Sequence, residues 1–425
     1  FHNVLCLSEA KGMDINMKTR KATAQAAGAA IMTAAMIMAQ GMPVMAAGTN
    51  YGNVIGGTKT TTFDKYLVMD AQAQVPNVSF SYAVTAGQAK AYDVDGKKFE
   101  VLAGVDADKV TMAGVGSETA GTIAYAQGDA TLQDDNALVK DYDKAAEKYA
   151  KKTATLDFSA CQFTEPGIYR YVITESGTNQ GITNDADLTR IVDVYVEDAS
   201  DVDGKKLTIA GYVLHSNTDD APDITMGDDN GSGGAYTATK SQGFTNIYDT
   251  SDLTFRKEVA GNQASHDKYF EFTVAITDAV AGTVYDVDIT SADATSGTNA
   301  ATIAANAGKT NPTSLTVGDD GTVTQKFYLQ HGQEVKIQGI AKDTNYAVTE
   351  NAEDYKSTAA GVTDYTDAVN GTVASADLKT SYLNTRDGVI PTGVAMAVAP
   401  FAAVTLLGGI GAVTMVMKKK RDEEE

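Results

Sequence analysis

Apolar and polar residues alternate in short runs through most of the chain, and Gly, Asp or Asn bound those runs. Val78-Ser79-Phe80-Ser81-Tyr82-Ala83-Val84, Ile168-Tyr169-Arg170-Tyr171-Val172-Ile173, Ile191-Val192-Asp193-Val194-Tyr195-Val196 and Phe270-Glu271-Phe272-Thr273-Val274-Ala275-Ile276 are examples. A period of two over so few residues predicts half-buried strands, and strands at this spacing predict antiparallel β-sandwiches. Asp95-Gly96 and Asp203-Gly204, each followed by Lys-Lys and an apolar run, read as hairpin turns. Their Asp-Val-Asp-Gly context looks like the opening of a calcium loop, but the later ligands and the closing glutamate are missing, so a turn is favoured over a metal site. Asp135 to Lys152 reads as the one helical segment, an insertion in the first half, and Met226 to Gly234 as a glycine-rich loop. A boundary near Asp249-Thr250-Ser251 divides the chain into sandwiches at 48–250 and 251–388.

The two ends carry different patterns. Met17-Lys18-Thr19-Arg20-Lys21 is basic, a largely uncharged Ala/Met/Ile run follows, and Pro43-Val44-Met45-Ala46-Ala47 offers small residues for a cut after Ala46 or Ala47. That order predicts a secretory signal peptide, so residues 1–47 stand outside the fold. A buried alanine-rich helix is the competing reading. Residues 1–16 fit no targeting pattern. At the other end, Gly393 to Met417 holds no charge and is long enough to cross a hydrocarbon core of about 30 Å as a helix. Lys418-Lys419-Lys420-Arg421 would keep its end in the cytoplasm.

Composition narrows the function classes. The net charge of −21 argues against nucleic acid as a partner and suits a secreted protein. Cys6 lies in the leader, which leaves Cys161 without a partner for a disulfide. A secreted chain without that staple calls for another. His215, His266 and His331 are scattered, with no metal-spaced cluster, so neither a metal nor a cofactor is expected.

A loose repeat in three parts points to the staple. The first half opens on Thr62-Phe63-Asp64-Lys65-Tyr66-Leu67 and the second on Leu253-Thr254-Phe255-Arg256-Lys257-Glu258-Val259. Tyr171-Val172-Ile173-Thr174-Glu175 then corresponds to Tyr346-Ala347-Val348-Thr349-Glu350, and Phe244-Thr245-Asn246 to Tyr382-Leu383-Asn384. Each half thus offers a lysine in its first strand, a glutamate in mid-domain and an asparagine in its last strand. A lysine amine made neutral by an apolar core can attack a carboxamide carbon. A buried glutamic acid can polarise that carboxamide and shuttle protons as ammonia leaves. First and last strands are often neighbours in a sandwich, so the groups could be held at reacting distance. The product would be an internal isopeptide bond, formed once per site, and the protein is not expected to be a turnover enzyme.

The Phe-Asp-Lys-Tyr-Leu opening, both Tyr-x-x-x-Glu strands and the Asn-containing strand before Ile-Pro-Thr-Gly resemble Gram-positive backbone pilins of the streptococcal T-antigen type. The resemblance implies an all-β fold of tandem Ig-like (CnaB-like) sandwiches. It implies bonds Lys65–Asn246, assisted by Glu175, and Lys257–Asn384, assisted by Glu350; Tyr-Leu-Asn at the second departs from the more usual Phe-Thr-Asn. Residues 389–425 are similar to a cell-wall sorting signal. By that likeness a pilin-type sortase would attack the Thr392 carbonyl within Ile390-Pro391-Thr392-Gly393, releasing Gly393 with the membrane helix. Lys240, in Ala238-Thr239-Lys240-Ser241, is the lysine implied to receive the next subunit. The partners implied are the sortase, identical subunits, peptidoglycan and ligands on host or bacterial surfaces, with the membrane occupied only before sorting. The implied location is extracellular, in a wall-anchored pilus. A monomeric wall-anchored adhesin with the same domains is the alternative; a surface enzyme has little support.

Overall fold

The computed structural model describes residues 55–389 apart from 95–96, 202–203, 216–242, 292–307 and 361. The expected leader, the Met226–Gly234 loop, Lys240, Ile390–Gly393 and the Gly393–Met417 span therefore lie outside the described residues. The chain divides into two compact units. One holds the residues through Thr250 with the short segments Ala279–Val284 and Ala341–Asp343; the other holds the rest from Ser251. Among the described residues both are built of strands, with a single short 3-10 turn at Ala107–Lys109.

In the first unit, the strand Thr60–Asp70 organises one sheet. Phe63, Leu67 and Met69 point into the main core, whereas Tyr66 and Val68 pack on the opposite face with Val139 and Tyr149. This strand runs antiparallel to Glu147–Asp157 along its whole length and parallel to Gly243–Tyr248, the last strand of the unit. The facing sheet has the order Ile55–Gly57, Leu207–His215, Thr189–Asp198, Gly167–Ser176, Val78–Ala86, Thr122–Tyr125. Aromatic side chains join the two sheets: the Tyr82 ring lies 5.2 Å from Phe63 and 5.4 Å from Phe244. Each buried large apolar side chain contributes about 1.5–3 kcal/mol, so alternation alone suffices to specify which face turns inward. Val94 pairs with Lys97 across the expected Asp95-Gly96 turn, and Asp201 bridges Gly204 across the second.

The segment Asp135 to Lys152 is not a helix. Residues 134–146 form turns, and the strand Glu147–Asp157 begins where the helix was expected to continue. The side chains of Asn136 and Asp143 accept the backbone N–H groups of Leu138 and Ala145, two residues on, and so compete with helical hydrogen bonding. Tyr149 sits on the outer face of the sheet, where Tyr142 stacks edge-on at 5.2 Å and Asp134 and Asn136 bond its hydroxyl. Pairing with an eleven-residue neighbour outweighs the helix propensity of Ala, Glu and Lys here. The insertion is a cover over Tyr66 and Val68.

The second unit repeats the plan. Its six-stranded sheet has the order Ser314–Thr316, Val284–Ser291, Gln333–Ala341, Thr250–Ala260, Leu378–Thr385, Lys356–Ala359. Its four-stranded sheet has the order Val323–Leu329, Phe270–Thr277, Asn345–Asn351, Asn370–Thr372. Phe255 meets Phe272 and Phe327 from the facing sheet at 5.4 and 5.6 Å. The first and last strands are again parallel neighbours, Thr250–Ala260 beside Leu378–Thr385.

Cys161 is buried and unpaired, and burial pushes its thiol up to about 11. No cluster of potential metal ligands occurs among the described residues, and no described helix is long and apolar enough to cross a membrane.

Candidate functional site: two buried lysine–glutamate–asparagine clusters

Lys65 stands in phase with Phe63 and Leu67, so the alternation that builds the core also carries an ammonium into it. Its side chain is fully buried. Taking such a group out of water costs several kcal/mol unless a partner compensates. Glu175, on the facing sheet, is that partner: Lys65 Nζ donates to Glu175 Oε2 at 2.6 Å. The Phe80 ring lies 4.3 Å from Nζ, adding a cation–π contact. Burial lowers the Lys65 pKa to about 8, although Glu175 pulls the other way.

Asn246 arrives from the last strand. In the parallel register Phe244 faces Lys65 and Asn246 faces Leu67, so Lys65 and Asn246 are diagonal neighbours. Asn246 Nδ2 donates to Glu175 Oε1 at 2.7 Å, and one carboxylate thus holds amine and carboxamide together. Tyr82, directly opposite Glu175 in the strand register, donates its hydroxyl to Oε2 at 2.5 Å. Burial and the nearby carboxylate raise the Tyr82 pKa well above the ordinary phenol range. Asn246 Oδ1 accepts the backbone N–H of Asp185 at 2.9 Å. Asp185 is itself held: its Oδ2 accepts from Arg190 Nη2 at 2.6 Å and from the Thr245 N–H at 2.9 Å. Burial opposes the Asp185 charge, but the Thr245 N–H and Arg190 hold the carboxyl below its usual range.

The second cluster has the same register. Tyr382 faces Lys257 and Asn384 faces Val259, the same diagonal. Lys257 Nζ lies 2.7 Å from Glu350 Oε1, which also accepts Asn384 Nδ2 at 3.0 Å. Burial lowers the Lys257 pKa to about 8, against the pull of Glu350. The supporting hydroxyl differs. Phe272 stands opposite Glu350 where the first unit has tyrosine, and Ser357 Oγ instead donates to Glu350 Oε2 at 2.9 Å. Ser357 comes from a strand beside the asparagine strand, opposite Asn384.

The structure therefore brings together Lys65, Glu175 and Asn246 in one unit and Lys257, Glu350 and Asn384 in the other. Lys240 and Ile390 to Gly393 lie outside the described residues. Sequence reasoning missed Tyr82, Asp185, Arg190 and Ser357. Arg190 carried a signal, since it is a charged residue directly before the apolar pair Ile191-Val192. Ser357 carried none.

The fold and its clusters define a protein of two β-sandwiches, each with a lysine, a glutamate and an asparagine buried together. Comparison with known proteins places it further. Residues 111–249 match the family described as the Spy0128-like isopeptide containing domain (FctA). That match includes Glu175 and Asn246 and begins after Lys65. Residues 251–386, which contain the second cluster, match a domain of unknown function, DUF7601. The chain is 24% identical over 401 residues to a curated pilin of Streptococcus pyogenes serotype M1, covering 88% of this chain and 95% of that one. Among solved structures it is similar to the major pilin from Streptococcus pyogenes, at 19% identity and TM-score 0.49, covering 79% of this chain and 100% of that one. The major pilin T3.2 of Streptococcus pyogenes serotype GAS13637 matches at 19% identity and TM-score 0.44, covering 78% and 100%. The chain is a homologue of streptococcal pilins.

Removing one partner of a buried ion pair leaves an uncompensated charge and costs about 3–5 kcal/mol. In an Asn246→Ala background, which takes away the reaction partner, adding Glu175→Ala should destabilise the first unit by that amount in chemical denaturation. A change under about 1 kcal/mol would mean that the ion pair does not hold the sheets together.

Proposed function

We propose that this chain is a pilus shaft subunit whose two sandwiches are each locked by a Lys–Asn isopeptide bond, Lys65–Asn246 and Lys257–Asn384. The observation that carries the reading is the shared diagonal register, with one carboxylate bonding amine and carboxamide in both units. Glu175 and Glu350 each take a proton from the lysine, freeing its lone pair, and return protons as the amide nitrogen departs. No other catalyst is required, and each site reacts once. Pilin homology supports a surface location and assembly from identical subunits. The finer proposal is that a sortase cleaves after Thr392 and joins it to Lys240 of the next subunit, with the last subunit passed to peptidoglycan.

Such an assembly is loaded between Lys240 and Thr392. Tension entering at Lys240 follows the chain through Asn246 to Lys257, crosses the second isopeptide to Asn384 and leaves at Thr392. The residues between 257 and 384 carry no load in that path, nor do those before 240. The Lys257–Asn384 bond is thus the one in series with the force, and Lys65–Asn246 is a stabilising bond beside it.

Three outcomes follow. Each bond expels one ammonia, so the intact mass of the chain should lie about 34 Da below that expected from its sequence, and Glu175→Ala with Glu350→Ala should abolish this deficit; no deficit in the parent chain would sink the isopeptide reading. Closure needs the single proton that each lysine–glutamate pair shares, and that proton is lost as pH rises through the lowered lysine pKa of about 8. Formation rates should therefore fall above pH 8, approaching tenfold per unit, whereas a rise there would mean that the carboxylate acts with its proton already gone. Finally, a single chain held at Lys240 and Thr392 should stay short under force, while Lys257→Ala should release roughly 400 Å of the second unit. Asn246→Ala should release none, and an equal extension in both would rule out the series path.

A further inference from the structure

The two clusters differ at the atom on which negative charge must develop. When a lysine nitrogen adds to the carboxamide carbon, the carbonyl electron pair moves onto Oδ1. In the first unit Asn246 Oδ1 already accepts the Asp185 backbone N–H at 2.9 Å. In the second, Asn384 Oδ1 is buried and has no hydrogen-bond donor among the described residues. The Asp185 N–H is also held rigidly. Asp185 Oδ1 accepts the N–H of Asp187 at 3.1 Å, and Oδ2 accepts Arg190 Nη2 and the Thr245 N–H. Fully buried Arg190 donates from Nε to the Gly243 carbonyl at 2.8 Å, so one guanidinium ties the donor loop to the asparagine strand.

We propose that the Asp185 backbone N–H is an oxyanion donor for Lys65–Asn246 closure, with the Asp185–Arg190 pair as its positioning residues, and that Lys257–Asn384 closes without such a donor and therefore later. This rests on the isopeptide reading. The Nζ–Cγ bond forms as the carbonyl pair moves to Oδ1, and it re-forms the carbonyl as the Cγ–Nδ2 bond breaks. Of the three protons on the Lys65 ammonium, one stays on the new amide nitrogen. The other two pass through Glu175 to Nδ2, which leaves as ammonium and regenerates the carboxylate. A preorganised donor at a developing oxyanion contributes about 10²–10³ in rate.

The test is to synthesise the full chain in a cell-free system, quench samples at intervals in acid, digest them and quantify each crosslinked peptide by mass spectrometry. The Lys65–Asn246 peptide should form about 100-fold faster than the Lys257–Asn384 peptide. Equal rates, or the reverse order, would overturn the oxyanion assignment while leaving the isopeptide reading intact. Absence of both peptides would overturn both. Asp185→Ala loosens the loop and should slow Lys65–Asn246 closure at least tenfold while reaching the same final extent, with Lys257–Asn384 closure unchanged. Asp185→Asn, which keeps an accepting oxygen for Thr245, should restore most of the rate. An Asp185→Ala chain that closes at the parent rate would count against the positioning role.

Discussion

A lysine ammonium inside an apolar sandwich is the constraint on which each unit depends. Desolvation disfavours the charge, and only a carboxylate brought from the facing sheet compensates it. The two sheets must therefore close in one register, with Lys65 over Glu175 and Lys257 over Glu350. That carboxylate has more acceptor capacity than one ammonium fills, and the asparagine of the last strand takes the remainder. Packing, charge compensation and strand register thus converge on three side chains. What makes the lysine costly to bury also moves it towards the neutral form in which it is a nucleophile.

The triads were legible because each member breaks a pattern. Lys65 occupies the apolar phase of Phe63 and Leu67, and the same lysine, glutamate and asparagine recur in order in both halves. Sequence spacing left open that the first and last strands would be parallel neighbours, which sets the diagonal. The supporting groups were illegible for a physical reason. Tyr82 is an ordinary aromatic in an ordinary strand until its register opposite Glu175 is known. Asp185 acts through its backbone, which no side-chain pattern reports. The expected helix at 135–152 failed because the Asn136 and Asp143 side chains take backbone N–H groups and a long neighbouring strand was available to pair.

The second unit separates what the arrangement requires from what it tolerates. The diagonal and the shared carboxylate recur, although amine and carboxamide take different oxygens of Glu175 and the same oxygen of Glu350. The hydroxyl on the glutamate comes from the facing sheet in one unit and from a strand beside the asparagine in the other. A hydroxyl at that oxygen is a local hydrogen bond that many positions can supply. The diagonal is a property of two whole strands, and a register slip of one residue would turn the lysine out of the core.

Under the proposed isopeptide reading, the same geometry supplies a covalent staple without a disulfide. A crosslink between first and last strands closes almost the whole unit into a loop, and loop entropy of that length is worth roughly 5 kcal/mol. Two cysteines on the same diagonal would give a similar gain, but only after an oxidant acted, and reduction would undo it. An amide formed from lysine and asparagine needs only the dry core that folding already creates. Folding and locking are then one process: the sheets must close before the amine can react, so a chain that has not reached its register is not fixed in the wrong one.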